Sequence, residues 1–266
     1  MSIDREDITV ELLISTMHQT DHHLVKKMNI FTDAVVINQC GRTGYEEFQY
    51  NGHTVRWFDS EERGVGKSRN MALIVATADI CVFADDDMVY DDDALQAVMS
   101  AFTRLGDAAM VIFNVRGLGK EIDGTRRLHI WNASRYGTFR MAVWRSAIMR
   151  ARISFSLLFG GGAKYSCGED SLFISDCLRH HLKLYAVPDL LGTNLGGEST
   201  WFKGYTKKYF IDRGVLFAAL NPYLAELYCV RFVLLRGNMF RGEVGGRQAL
   251  KWMLIGVANW RAKGMR

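Results

Sequence analysis

Apolar residues fall along this chain in two rhythms. In the first half, short runs rich in β-branched residues alternate with stretches whose apolar positions recur every three or four. Residues 9–15 (TVELLIS), 34–38 (AVVIN), 54–58 (TVRWF), 80–84 (ICVFA) and 110–115 (MVIFNV) predict strands. Between them, residues 22–30, with Leu24, Val25 and Met28 on one side, then 68–76 and 92–102 predict helices. Asp92 and Asp93 are expected in the first turn of the third helix, where the dipole favours negative charge. The run at 80–84 is apolar at every position, as a central strand covered on both faces requires.

Strands alternating with helices predict parallel pairing through crossovers, and hence an α/β fold. Ligands of such sheets bind beyond the carboxyl ends of the strands. Chemistry is therefore expected just after Ser15, Asn38, Phe58 and Ala84. The last part of the chain differs. Three apolar stretches, 215–220, 223–235 and 249–260, are flanked by Lys or Arg and are too short to span a bilayer. They predict a helical extension over 206–266, packed on the first 205 residues or facing a membrane surface.

Charge narrows the range of partners. The chain of 266 residues carries a net +4, a balance that suits a phosphate-bearing substrate or an anionic membrane surface. It shows no dense basic stripe, so nucleic acid is not an expected partner. The five cysteines form no CxxC pair and read as reduced thiols of a cytoplasmic protein. The opening MSIDREDITVELL is acidic and polar, so no secretory signal is expected. The expected location is the cytoplasm, free or peripheral on the inner face of the cell membrane.

Asp85, Asp86 and Asp87 follow ICVFA directly. Three adjacent carboxylates at the ligand-binding edge of a sheet repel one another unless a cation neutralises them. Carboxylate oxygens suit Mn2+ or Mg2+, which also bind diphosphate oxygens. The plainer alternative is an acidic turn; Asp91, Asp92 and Asp93 are expected to cap the following helix in that way. A second acidic site, Gly168-Glu169-Asp170, heads the amphipathic stretch SLFISDCLRHHL. A carboxylate at a helix N-terminus is held ionised and oriented, as a general base must be. Taken alone this triplet is a simple cap; the aspartate run upstream gives it weight.

Gly64-Val65-Gly66-Lys67-Ser68 imitates a phosphate-cradling P-loop. That motif needs a glycine where this chain has Glu61, and Glu62 adds another negative charge. The segment RGVGKSRN reads better as a loop entering a helix, with Arg63, Lys67 and Arg69 toward a bound base or phosphate. Arg126, Arg127, Arg135, Arg140 and Arg145, interleaved with Trp131, Tyr136 and Trp144, line an acceptor groove or form a basic surface over core aromatics. Trp201 and Phe202 cover the active site or fill the core. The doublets His22-His23 and His180-His181 lack the spacing of a helical metal pair and read as solvated.

In order, the first strand, STMHQTD, VVINQ, RGVGKSRN, ICVFADDD and GED resemble the family 2 glycosyltransferases over residues 9 to 205. The resemblance implies a GT-A fold, a nucleotide-binding mixed sheet flanked by helices, as catalytic domain over 1–205. It implies an inverting transfer of one sugar from a nucleoside diphosphate sugar, UDP-linked, to a hydroxyl of a glycan, lipid-linked or protein acceptor in polysaccharide synthesis. Ser15 and Thr16 would lie against the nucleoside, and Asn38 against base or ribose. Lys67, Arg69 and Asn70 would flank the nucleotide, and Asp85 and Asp86 would touch ribose and metal. Asp87, with Asp85, would hold Mn2+ or Mg2+. Asp170 would be the catalytic base, with Glu169 beside it. From the residue chemistry above rather than from the resemblance, Trp201, Arg135 and Trp131 are the candidates to meet the acceptor.

The chain departs from the family at three points. Gly196 and Gly197 precede Glu198 where histidine is common, Asn38-Gln39 stands where aspartate is common, and QxxRW is absent. Single transfer is expected, since Gln248–Trp252 has Lys for Arg and lies far beyond GED. The competing classes are a sugar-1-phosphate nucleotidyltransferase, a non-catalytic sugar-nucleotide binder and a P-loop-like NTPase.

Overall fold

A computed structural model of the chain describes residues 8–117, 121–130, 132–133, 136–196, 202 and 204–264. The first elements follow the apolar rhythm: β1 (Val10–Met17), α1 (His23–Lys27), β2 (Asp33–Gln39), β3 (Gly44–Tyr50), β4 (His53–Ser60), α2 (Val65–Val75), β5 (Ile80–Asp85), β6 (Met88–Tyr90) and α3 (Ala94–Leu105). Then come β7 (Met110–Arg116), β8 (Arg126–Arg127), β9 (Met141–Trp144), α4 (Arg145–Arg150), α5 (Glu169–Arg179) and β10 (Leu184–Asn194). The chain closes with α6 (Lys207–Leu220), α7 (Ala225–Arg236) and α8 (Gly246–Ala262).

Among the described residues the strands form one sheet in the order β3-β4-β2-β1-β5-β9-β7-β10-β6, with β8 also on β10. β4, β2, β1 and β5 are parallel, and β9 lies antiparallel between β5 and β7. The sheet is therefore mixed. β5 is central and buried as its pattern demands: Ile80, Val82 and Ala84 enter one core, Cys81 and Phe83 the opposite one.

Three features depart from the expected rhythm. β3 was not foreseen because GYEEFQY is a polar, exposed edge strand; the turn into β4 is Asn51-Gly52, both at positive φ, as a two-residue hairpin loop requires. α3 starts at Ala94, so Asp92 and Asp93 precede it and neither side chain caps it. Asp91 instead pairs with Arg116 at 2.8 Å, and Asp92 accepts from Asn29 Nδ2 at 3.0 Å. Of the histidine doublets, His23, His180 and His181 are exposed as expected, the latter two past the last residue of α5, while His22 is half-buried and stacks on Phe48 at 4.5 Å.

The C-terminal stretches are helices, joined to the sheet region through a third core in which Phe159, Tyr165 and Leu172 meet α6, α7 and α8. α6 and α8 cross at backbone contact. A Cβ on Gly214 would sit 1.9 Å from the Met253 carbonyl oxygen, and one on Gly256 2.1 Å from that of Ile211. Only glycine permits that approach.

Candidate functional site

Register brings the predicted residues to one edge. Ser15 pairs with Asp85 across β1 and β5, Thr16 with Asn38, and Asn38 with Asp59 across β2 and β4. Side chains then tie the strand ends together. Thr16 Oγ1 donates to Asp86 at 2.6 Å, and Ser68 of α2 donates to Ser15 at 2.9 Å. Asn38 is fully buried; its amide donates to Asp59 at 2.7 Å and to the Gln19 carbonyl, while its oxygen accepts from Gln19 N–H.

Arg69 is the hub. It projects from α2, and its guanidinium donates to Asp85 at 2.8 Å, Glu169 at 3.1 Å and Asp170 at 3.3 Å. One buried cation thus joins the end of β5 to the head of α5, with Asp85 and Asp170 85 positions apart in the sequence. Burial alone would lower its pKa; Asp85, Asp170 and Glu169 reverse that and hold it firmly protonated. The ring of Phe155 lies under it, 5.6 Å away. Asn70 fixes that ring's backbone, accepting from Phe155 N–H at 2.7 Å and donating to its carbonyl at 2.9 Å.

The glycines before α5 explain why GED folds this way. Gly168, at φ +111°, is the N-cap, and Leu216 fills the space a Cβ would need. Gly160, at φ +101°, lets the Glu169 carboxyl and Val65 approach to where its own Cβ would be. Burial, then the charge of Asp170, push Glu169 up to about 7 against the pull of Arg69. Asp170 is more exposed, and Thr138 Oγ1 donates to it. The pair therefore holds one protonatable and one partly solvated carboxyl side by side.

Asp87 stands apart. Its Oδ1 is buried without a partner. Burial, and after it the neighbouring charges of Asp85 and Asp86, raise its pKa, while Asn194 lowers it. An orphaned buried carboxylate oxygen beside like charges fits a hard divalent cation. Among the described residues no group of three or more His, Cys, Asp or Glu could hold a metal ion. A cation here would take its remaining oxygens from a diphosphate and water, as Mg2+ and Mn2+ sites with one or two carboxylates do.

Other expectations fare differently. The P-loop imitation is the first turn of α2: Val65 N–H donates to the Gly161 carbonyl, and Lys67 pairs with Glu62 at 3.3 Å. The arginine–aromatic stretch does not form one groove among the described residues. Arg140 is buried and donates to Asn114, Arg145 donates to the Leu73 and Ile74 carbonyls, and Tyr136 and Trp144 belong to the two sheet cores. Phe202 packs edge-on to Tyr205 and Tyr209. Trp131, Arg135, Trp201, Gly197 and Glu198 lie outside the described residues.

Sequence reasoning missed four residues that organise the site. Asp59 accepts from Asn38, Arg42 and Trp57; burial raises its pKa, and these hydrogen bonds outweigh burial and hold it below the usual carboxylate range. It directly follows Phe58, where the strand-end rule pointed. Gln39, next to Asn38, accepts from Gly64 N–H at 2.8 Å. Thr138, in a 3-10 turn, and Asn194, at the end of β10, carry no local signal.

Residues 34–159 match the family model Glycosyl transferase family 2. No curated protein matches the chain in sequence. Among solved structures, S. aureus TarS 1-349 in complex with UDP-GlcNAc superposes with a TM-score of 0.62 at 14% identity, covering 96% of this chain and 90% of that one. The mannosyltransferase PcManGT from Pyrobaculum calidifontis, in complex with GDP-Man and Mn2+, superposes with a TM-score of 0.51 at 13% identity, covering 100% of this chain and 79% of that one. At these identities the structures speak for the fold.

Proposed function

We propose that this chain, which matches the family model Glycosyl transferase family 2 over residues 34–159 and has a GT-A fold, inverts the anomeric carbon of a UDP-linked sugar, moving it singly to an acceptor hydroxyl. The observation that carries this reading is the Arg69 bridge, which draws Asp85 on the donor edge and Asp170 at the head of α5 into one charge cluster. The UDP and UDP-GlcNAc complexes of TarS, and the GDP-Man and Mn2+ complex of PcManGT, support a nucleoside diphosphate sugar and a divalent ion. The acceptor is a glycan, a lipid-linked intermediate or a protein, and the C-terminal helices offer peripheral contact with a membrane.

In this reading the nucleoside lies over the ends of β1 and β2, where Ser15 and Thr16 stand, with Lys67 beside the diphosphate. Asn38 and Asn70 act indirectly, the first by fixing Asp59 and the second by fixing Phe155 under Arg69. Asp87, with Asp85 or Asp86, would hold Mn2+ or Mg2+, which stabilises charge on a leaving diphosphate. Asp170 takes the proton from the acceptor hydroxyl as the oxygen attacks the anomeric carbon opposite the leaving group. Thr138 and Arg69 orient that carboxylate. Glu169, held protonated up to about pH 7, spares Asp170 a second full negative charge beside it.

The test is a panel of nucleoside diphosphate sugars with Mn2+, read by release of free nucleoside diphosphate and product stereochemistry. Asp170→Asn is expected to abolish transfer while keeping donor affinity. Transfer by that variant at a comparable rate, or release of pyrophosphate from a nucleoside triphosphate instead, would end the proposal.

A further inference from the structure

α7 turns an apolar face to water. Its buried positions, Ala225 and Cys229, lie on one side. Leu227, Val230 and Leu234 recur at helical spacing on the opposite side, with Tyr223 one turn before them. Tyr223 is 91% exposed and Leu234 75%. Leu235, Met239 and, on α8, Leu254 and Ile255 are exposed as well. Arg261 of α8 pairs with Glu226, and Gly246 packs near Val233, so the two helices run antiparallel. Leu254 and Ile255 therefore lie level with the middle of α7. An amphipathic helix normally buries its apolar stripe, and a stripe left in water marks a docking face.

Charge says what docks there. Residues 221–266 hold eight Lys or Arg and two Asp or Glu, more net positive charge than the +4 of the whole chain. Arg231, Arg236, Arg247 and Lys251 are exposed, and Glu226 is already paired. A second copy meeting this face about a twofold axis would bring the same arginines together. No helix among the described residues is long and apolar enough to cross a membrane.

We propose that α7 and α8 lie on an anionic lipid surface, with the Tyr223–Leu227–Val230–Leu234 stripe in the acyl boundary and the basic side chains at headgroup phosphates. This deepens the glycosyltransferase reading by naming the face that would bring the catalytic site to a lipid-linked acceptor. The docking itself does not require that reading to hold.

The full chain is floated with vesicles of phosphatidylcholine alone, or containing about one-third anionic phosphatidylglycerol. Wild type is expected to float with the anionic vesicles and not with the neutral ones. Leu227→Ser/Leu234→Ser and Arg231→Glu/Lys251→Glu are each expected to weaken binding about tenfold or more. Asp170→Asn is expected to float like wild type. Both surface variants should release nucleoside diphosphate without vesicles at the wild-type rate, so lost docking and lost chemistry read out separately. Absence of flotation, equal flotation on neutral vesicles, or a wild-type dimer that Leu227→Ser/Leu234→Ser dissociates would each overturn the proposal.

Discussion

Replacing Arg69 by methionine removes the cation that three carboxylates share. The guanidinium lies 2.8 to 3.3 Å from Asp85, Glu169 and Asp170 and is almost sealed from water. Removing one partner of a buried ion pair costs about 3–5 kcal/mol. Two observations move the expectation to the lower end. The side chains of Asp85 and Asp170 keep 33% and 29% of their surface exposed, so water screens them. Glu169, at about 7, still carries its proton part of the time near neutrality. About 3 kcal/mol is therefore expected at pH 8, which lowers the melting temperature by roughly 6–12 °C in a chain of this size. The sign with pH follows from which groups are charged. Glu169, raised to about 7, is ionised at pH 8 and takes up its proton below that value, so the deficit is full at pH 8 and smaller at pH 5. Arg69→Lys keeps the charge but cannot fork to three acids, and its loss should be intermediate. Thermal unfolding followed by far-UV circular dichroism at both pH values measures all of this. A melting point within about 2 °C of wild type at pH 8, or an equal loss at both pH values, would refute the charge argument.

Two further outcomes follow from the same cluster. The pKa of Glu169 is raised from 4.5 to about 7, so the native state favours its proton, and the stability it supports is lost as pH rises through about 7. Glu169→Gln should remove that slope, changing the wild-type-minus-variant difference by on the order of 3 kcal/mol between pH 4.5 and 8, while keeping transfer; a constant difference would contradict the burial argument. Asp87→Asn should raise the Mn2+ concentration that supports nucleoside diphosphate binding by at least about tenfold, measured by calorimetry. Unchanged metal dependence would remove Asp87 from the proposed metal site.

What the sequence made legible was whatever depends on local pattern. ICVFA announces a strand buried on both faces because every position is apolar, and GED announces a helix head because glycine precedes two acids. The site's edge was legible too, since parallel strands put their carboxyl ends there. What stayed hidden depends on partners distant in the chain. β9 is only four residues long and is fixed by β5 and β7 rather than by its own composition. β3 hid because polar alternation on an edge looks like a loop, although Asn51-Gly52 was a usable hairpin signal. Asn38 and Asn70 read as ligand contacts because amides at such positions often are, yet each satisfies protein groups that lie far away in sequence. Thr138 could not be found at all: its relevance exists only where its hydroxyl meets Asp170.

The pattern of compensation among the acids gives the proposed donor site its direction. Asp85, Glu169 and Asp170 share Arg69; Asp86 accepts from Thr16; Asp59 has Arg42, Asn38 and Trp57. Each of these carboxylates is matched by a group of the fold itself. Asp87 keeps a buried oxygen with no partner, although it sits beside two other aspartates. A fold that gives the acids around one position hydrogen-bond partners and leaves one buried oxygen of that position without a partner concentrates negative potential there. Such potential repels a diphosphate unless a cation arrives with it or before it. On the proposed mechanism, donor and metal therefore bind with strong positive cooperativity, each raising the affinity of the other by the same factor, as linkage requires.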